Sequence, residues 1–237
     1  MSLHQKMPAL RVAAAAIVLL LAISCIAATL NAAEPVVLFN GKDLAGWKEK
    51  GDHSKSKWAV GTATMDPDNT RTLKITPGGN QLINGGHGVD LFSEARFGDA
   101  VIELELMVPK GSNSGIYVMG EYEIQILDSF GKTKLGMGDM GAIYGAAVPR
   151  ANACKPPGEW QEYVIDYRAP KFDQAGKKIA NAKIVKVVLN GKVIQEDAEL
   201  RGPTPGGVSG REAATGPLMF QGNHGPVAFR KITIKEI

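Results

Sequence analysis

The sequence predicts an all-β protein, folded as an antiparallel two-sheet sandwich of the jelly-roll type. Helix signals are almost absent after the first 33 residues. Several short segments alternate apolar and polar residues with a period of two, which is the pattern of a strand with one buried face. Glycine occurs 28 times and suits the tight turns that join such strands. Many short strands between Gly- and Pro-rich loops favour a sandwich over a helical architecture.

The first 33 residues are interpreted as a secretory signal peptide, which leaves residues 34–237 as the mature domain. Lys6 and Arg11 precede an apolar run over residues 12–30, and the small residue Ala33 follows it. The run is long enough to span a bilayer, so an uncleaved anchor is the alternative. Lipidation at Cys25 is less favoured, because the residues after it stay apolar. We expect an exported protein of the periplasm or extracellular space, without stable membrane insertion after cleavage.

Charge and cysteine content restrict the function of the mature domain. Removing Lys6 and Arg11 from the 27 basic residues leaves one more basic residue than the 24 acidic ones. This balance argues against a nucleic-acid surface or a polybasic membrane patch. Cys154 is the one cysteine after the signal segment, so an internal disulfide and a cysteine-based metal site are both excluded.

The predicted strands follow one another along the mature domain. VIELELMV and EYVIDY alternate strictly, and IVKVVLNGKVIQE consists of two apolar runs joined by Asn190-Gly191, a pair that favours a tight hairpin turn. The C-terminal stretch predicts two more strands around a Gly-rich turn at 222–226. The stretches 61–90 and 128–160 are predicted to be long loops, where binding sites are often built. The strand segments are 101–108, 162–167, 184–196 and 216–237.

The segment GEYEIQILDSFG at 120–131 predicts a strand with a polar and an apolar face. Tyr122, Ile124 and Ile126 are expected to pack into the core. The opposite face is either solvated, as is usual in antiparallel sheets, or a binding surface. Asp128 extends the polar row and SNSG at 112–115 lies just upstream, which favours binding. The polar face carries Glu121, Glu123 and Gln125.

Other residues are candidates for a site or for the core. His224 lies in QGNHGP between two strands, where a histidine held on a turn could act as general acid or base. Arg211 could clamp an oxygen-rich ligand, whereas an ion pair is favoured for Arg230. Trp47 and Trp58 are assigned to packing, and Trp160 is open between packing and sugar stacking.

Several familiar sites are not predicted. GMGDMG at 136–141 matches G-x-G-x-x-G, but it lacks the strand-to-helix context of a dinucleotide site. No stretch resembles a nucleophile elbow, and no pair of histidines has zinc-ligand spacing. A divalent cation held by carboxylate and carbonyl oxygens is left open.

Five stretches, taken in order, carry a resemblance to a known family. Over nearly all of residues 36–237, the sequence resembles the 3-keto-disaccharide hydrolase domain. The resemblance implies a concanavalin-A-like jelly roll whose concave sheet binds carbohydrate. Met119 departs from the family pattern, which often has arginine there. The stretches are LFNGKDLAGW (38–47), NSGIYVMGEYEIQILDS (113–129), GAIYGAAVPRANACKPPGEWQEY (141–163), the Asn190-Gly191 hairpin and GPLMFQGNHGPVAFRKITIKEI (216–237).

The resemblance also implies a chemistry and a set of site residues. A 3-keto sugar has an acidic C2 hydrogen, so a base, a donor to the enolate oxygen and an acid for the leaving group suffice for cleavage. Glu123 and His224 are implied as base and acid, in an order that stays open. Asn113 and Gln125 would donate hydrogen bonds, and Asp128 would orient a group or bind a metal. The further implied substrate contacts are Tyr144, Trp160, Gln221 and Arg211.

Two alternatives remain open at this point. A conventional glycoside hydrolase needs two carboxylates, and Glu121 and Glu123 stand roughly 6.5–7 Å apart along a strand. That spacing disfavours a retaining pair, which needs roughly 5–5.5 Å. A non-catalytic carbohydrate-binding module is the second alternative, because one fold serves many functions.

Overall fold

The computed structural model describes residues 34–237, so the predicted signal peptide lies outside the described residues. These residues form fifteen β-strands and one short 3₁₀ turn at His53–Lys55, which confirms the all-β prediction. Within this range, no helix has the length and apolar character needed to cross a membrane. The strands are β1 (Val36–Val37), β2 (Trp47–Lys50), β3 (Trp58–Met65), β4 (Leu73–Asn84), β5 (Asp90–Ser93), β6 (Ala100–Met107), β7 (Asn113–Val118), β8 (Tyr122–Leu127), β9 (Gln161–Arg168), β10 (Lys171–Phe172), β11 (Lys178–Ala180), β12 (Ala182–Leu189), β13 (Lys192–Leu200), β14 (Met219–Phe220) and β15 (Val227–Glu236).

Two antiparallel sheets form the sandwich. The larger has eight strands in the order β13-β12-β9-β6-β15-β4-β3, with β1 paired to β15. The smaller has five strands in the order β2-β5-β14-β7-β8, and β10 and β11 form a separate ribbon. Strands β14 and β15 are consecutive but belong to different sheets, so the turn between them passes from one layer to the other. This crossing carries His224.

The core lies between the two sheets and is closed by stacked aromatic rings. Tyr122, Ile124 and Ile126 are buried in it, as predicted. The rings of Phe220 and Phe229 stack with their centroids 3.9 Å apart and so join the two sheets. Trp47 and Trp58 are also buried against Phe220, which confirms their predicted packing role.

The locally encoded strands are confirmed. The segments around 101–108 and 162–167 are β6 and β9, and β12 and β13 form the predicted hairpin. Asn190 and Gly191 have φ values of 50° and 78°, as a type I′ turn requires. Arg230 forms its predicted ion pair, with Glu105 at 2.5 Å.

The two predicted long loops have different outcomes. The prediction for 61–90 is wrong, because most of it belongs to β3, β4 and β5. Its polar, glycine-rich residues 77–80 bulge out of the β3–β4 pairing, in which Gly61 pairs with Gln81 and Thr62 with Thr76. Residues 128–160 lie between β8 and β9 and contribute to none of the fifteen strands, as predicted.

Part of the 128–160 loop covers the free edge of β8. The Gln125 N–H donates to the Ala142 carbonyl at 2.8 Å, and the Gly141 N–H donates to the Gln125 carbonyl at 2.8 Å. The Tyr144 N–H donates to the Glu123 carbonyl at 3.1 Å. These bonds fix residues 141–144 beside the polar face of β8.

Candidate active site

A cleft with an empty volume of about 540 Å³ opens on the face of the five-stranded sheet that is turned away from the core. Strands β7 and β8 form much of its floor, and residues 205–206 and the 222–226 turn contribute to its walls. The cleft brings together six of the nine residues that the sequence nominates for the site. These six are Asn113, Glu123, Gln125, Tyr144, Gln221 and His224.

The pairing of β7 with β8 explains how the floor is built. Tyr117 lies opposite Glu123 and Gly115 lies opposite Gln125, and directly paired residues share a face. Gly115 leaves the space that the Glu123 side chain occupies, because a Cβ at this position would collide with the Glu123 carboxylate. The missing side chain at 115 therefore allows the carboxylate to lie flat on the sheet.

Glu123 is the carboxylate of the cleft and is only 3% exposed. Burial raises its pKa to about 7 from an ordinary 4.5, the neighbouring Tyr117 hydroxyl opposes the rise, and the negative charge of Asp90 adds to it. Asp90 itself accepts the Gly222 N–H at 3.0 Å and lies 3.6 Å from the Lys50 ammonium. A carboxylate with a pKa near neutrality is suited to taking up a proton during a reaction.

Gln125 orients Asn113. Its Nε2 donates to Asn113 Oδ1 at 2.6 Å, and also to the carbonyls of Ile126 at 3.1 Å and Ser114 at 3.2 Å. The Asn113 oxygen is thus engaged, which leaves its amide nitrogen as the donor available to the cleft.

Gln221 has a buried oxygen without a partner. Its Nε2 donates to the Tyr117 hydroxyl at 3.3 Å, whereas Oε1 is buried and accepts no hydrogen bond from any of residues 34–237. The Tyr117 hydroxyl in turn donates to the Pro205 carbonyl at 3.0 Å. An unpaired buried acceptor is costly, so a ligand hydroxyl donating to Oε1 would be favoured.

Tyr117 is a cleft residue that the sequence analysis did not nominate. It follows Asn113 and Gly115 at two-residue steps on β7 and so lies on the same face. The alternation of NSGIYV contained this signal, but an aromatic residue in an apolar strand is more often assigned to the core.

His224 lies on the rim of the cleft, on the turn between the sheets. Its Nδ1 bonds Asn223 Oδ1 at 2.5 Å, so Nδ1 carries the hydrogen and Nε2 stays available. The His87 N–H donates to the His224 carbonyl at 2.7 Å, and the Gly225 N–H donates to the Asn113 carbonyl at 2.7 Å. The turn is therefore fixed to β7, and the exposed ring projects at the rim.

Three nominated residues lie outside the cleft. Asp128 accepts the Gly111 N–H at 2.9 Å and the Phe130 N–H at 3.3 Å, so its oxygens bind backbone turns. Trp160 lies with its ring under the Arg230 guanidinium, 4.1 Å from the centroid. Arg211 lines a separate hollow that does not include Glu123.

Glu121 does not share the cleft with Glu123, although both were expected on one face. Its carboxylate accepts hydrogen bonds from the Ser209 N–H and hydroxyl at 2.8 and 2.7 Å and from the Gly210 N–H at 2.9 Å. Glu121 precedes β8 and fixes the 204–211 loop. Its carboxylate therefore stabilises this loop and does not face the cleft.

Among the residues that line the cleft, Glu123 is the one acidic side chain that could bind a divalent cation. Nowhere in residues 34–237 do three or more His, Cys, Asp or Glu side chains meet in an arrangement that could hold a metal ion. A hard cation such as Ca²⁺ takes roughly six to eight oxygen ligands, several of them carboxylates. We therefore derive no step through a metal.

The sequence of this chain is similar to that of a known family and to that of a characterised protein. Residues 34–235 match the family described as the 3-keto-alpha-glucoside-1,2-lyase-like domain. The 3-keto-disaccharide hydrolase of Bacteroides thetaiotaomicron is 25% identical in an alignment of 156 residues, and the match covers 55% of this chain and 51% of that protein. The chain thus spans about half the length of the curated relative it matches.

Solved structures of similar chains share the sandwich. A candidate glycosyl hydrolase from Parabacteroides distasonis has a TM-score of 0.68 and 29% identity, covering 86% of this chain and 84% of that one. A second candidate glycosyl hydrolase of that organism, at 20% identity, has a TM-score of 0.58, covers 86% of this chain and 94% of its own, and supports the fold alone. Since the family match extends over nearly the whole described domain, the resemblance seen in the sequence is confirmed, and the chain belongs to the 3-keto-alpha-glucoside-1,2-lyase-like domain family.

Proposed function

We propose that this domain cleaves 3-keto-glycosides by removing the proton at C2 and expelling the substituent at C1. The ketone at C3 makes the C2 hydrogen acidic, because the carbanion is delocalised into the carbonyl as an enolate. The enolate electron pair then forms a C1–C2 double bond as the C1–O bond breaks. Water adds its oxygen to C1 and a proton to C2. Elimination with hydration is a net hydrolysis, which reconciles the lyase of the family description with the hydrolase of the relative.

The observation that carries the proposal is the buried Glu123 carboxylate on the floor of the cleft. As base, it would take the C2 proton, and its pKa of about 7 gives it more basicity than an exposed glutamate. Gly115 leaves the carboxylate room to lie beneath a bound sugar. We assign Glu123 as the base for these reasons.

The enolate oxygen needs a donor that is already oriented. The Asn113 amide nitrogen meets this need, because Gln125 holds the Asn113 oxygen at 2.6 Å. A preorganised donor stabilises developing negative charge without reorganisation. Gln221 Oε1 would accept a hydroxyl of the same sugar and so fix its orientation. Gln125 acts through Asn113 and is a positioning residue.

His224 is assigned as the acid that protonates the leaving oxygen. A protonated imidazole can donate to an alkoxide near neutral pH, and Nε2 is its available nitrogen. Its place on the rim puts the leaving group towards the mouth of the cleft, where an aglycone has room to extend. Export to the periplasm or the extracellular space remains part of the proposal.

The two-carboxylate mechanism is less well supported. Glu121 is bound by Ser209 and Gly210, and Glu123 is the one carboxylate among the residues that line the cleft. A non-catalytic binding module uses the same cleft without turnover, so only an activity measurement separates it from the enzyme.

The deciding experiment is NMR analysis of a synthetic methyl 3-keto-glucoside incubated with the protein in deuterated water. We expect cleavage with deuterium at C2 of the product, and no cleavage of the parent methyl glucoside. Glu123→Gln is the control and should abolish both cleavage and deuterium exchange. Equal turnover of the 3-keto and parent sugars would refute the mechanism, and binding of the 3-keto sugar without turnover would identify a binding module. A parallel sample with a chelator tests metal dependence.

A further inference from the structure

A second hollow adjoins the cleft and shares His224 with it. Its empty volume is about 620 Å³, and Arg71, Lys110 and His87 contribute to its lining. The Lys110 N–H donates to the Thr70 carbonyl at 2.8 Å, which holds the two cationic residues on adjoining loops. The His87 N–H donates to the His224 carbonyl, and this backbone hydrogen bond joins the two turns that carry the histidines.

The hollow is cationic. Among its lining residues there is no carboxylate, and in the part of the chain that the structure describes neither Arg71 nor Lys110 forms a salt bridge. The nearby Asp128 carboxylate accepts the N–H of Gly111, a residue that lines the hollow. A guanidinium and an ammonium without carboxylate partners favour a carboxylate, sulfate or phosphate as their ligand.

The two hollows have opposite electrostatic character. The cleft contains Glu123 with Asp90 close enough to raise its pKa, so a negative group is disfavoured there. Beyond His224, the same group would meet Arg71 and Lys110. A substrate with a negatively charged aglycone is therefore bound in one orientation, with its neutral keto sugar over Glu123 and its charged group in the second hollow.

We infer that the Arg71–Lys110 hollow binds a negatively charged group on the aglycone. The preferred substrates are then 3-keto-glycosides whose alcohol or phenol also carries an anionic group. The inference rests on the proposed function, because His224 as acid places the leaving oxygen beside itself and the aglycone beyond it. The chemistry of the site is anion recognition, by carboxylate, sulfate or phosphate.

The test compares the 3-keto-glucosides of 4-hydroxyphenylacetate and of its amide. The methylene group insulates the phenol from the charge, so the two leaving groups have similar reactivity. We expect kcat/KM for the acid to exceed that for the amide by about tenfold, which corresponds to about 1.4 kcal/mol. A phosphonomethyl analogue forms a third arm, and its rank against the carboxylate identifies the favoured anion.

Charge-removing variants connect the preference to the hollow. In Arg71→Gln and Lys110→Gln, the ratio of kcat/KM for acid over amide should fall towards one. Lys192→Gln is the matched control, because Lys192 is exposed and lines neither hollow. Equal kcat/KM values for acid and amide in the wild-type protein, or a ratio that survives both variants, would overturn the inference.

A binding measurement separates failure of the inference from failure of the proposed function. NMR titrations of the wild-type protein with free 4-hydroxyphenylacetate and with its amide require no turnover. Tighter binding of the acid that is lost in Arg71→Gln supports the anion site even if neither glycoside is cleaved, in which case the proposed reaction is wrong. Equal weak binding of both compounds counts against the hollow.

Discussion

Replacing Glu123 by glutamine should abolish activity and, at alkaline pH, make the protein more stable. Glutamine keeps the shape of the side chain but carries no charge. Glu123 has a pKa of about 7 in the fold against an ordinary 4.5, because burial penalises its charged form. At about 1.4 kcal/mol per tenfold change in proton affinity, charging it in the fold costs up to about 3 kcal/mol.

The pH dependence follows from which state holds the proton. The unfolded chain releases the Glu123 proton near 4.5, whereas the folded protein keeps it until about 7. The stabilisation from the raised pKa is fully present below 4.5 and is lost as the pH rises through 7. Glu123→Gln lacks this loss, so the two proteins should differ little at about pH 4 and by up to about 3 kcal/mol at about pH 8.5.

Urea unfolding of both proteins at the two pH values measures the effect. For a domain of this size, about 3 kcal/mol corresponds to a rise in Tm of roughly 6–12 °C. Glu105→Gln is the opposite control: burial raises the Glu105 pKa, but hydrogen bonds from Lys231 and Arg230 outweigh it and the net pKa is lowered. That variant should lose stability above pH 4.5. If Glu123→Gln is no more stable than wild type at high pH, the carboxylate is not strained by burial, and its assignment as a base of raised pKa is refuted.

Three further predictions concern single residues. His224→Ala should slow release of methanol from a 3-keto-glucoside by roughly 10²–10⁴-fold and release of nitrophenol far less, because only the poor leaving group needs an acid; equal losses in kcat would count against the acid role. Gly115→Ala should lower kcat more than tenfold and cost roughly 1–3 kcal/mol of stability, because its methyl group displaces the Glu123 carboxylate; a wild-type rate would mean that the carboxylate position is unimportant. Asn190→Ala should cost roughly 1–2 kcal/mol in urea unfolding without changing kcat, because it removes a positive-φ turn residue and the 2.7 Å bond to the Ala153 carbonyl; an unchanged unfolding midpoint would contradict this.

The parts of the fold that were predictable are encoded by neighbouring residues. The Asn190-Gly191 turn and the strict alternation of β6 and β9 depend on residues close in sequence. Residues 61–90 were misjudged because Gly78 and Gly79 suggest a loop, whereas they form a bulge within a strand whose remaining residues pair with β3. Pairing partners elsewhere in the chain override local composition.

The candidate site was predictable only where one strand carries it. The alternation of β8 brings Glu123 and Gln125 to one face, and a family resemblance pointed to His224. The proximity of Asn113 to the 222–226 turn depends on β14 pairing with β7, a contact between residues more than 100 positions apart. Arg211 and Trp160 have suitable chemistry for a sugar site, but residue type alone does not indicate on which side of the sandwich a side chain lies.

The loop that covers β8 has a consequence for solubility. An edge strand of a sheet with unpaired N–H and C=O groups is a template to which strands of other molecules can pair. Residues 141–144 occupy those groups on the strand that carries Glu123. Deleting residues 141–144 would expose the edge of β8 to cross-β pairing between molecules. The segment that contributes Tyr144 to the cleft therefore also protects the protein from self-assembly into fibrils.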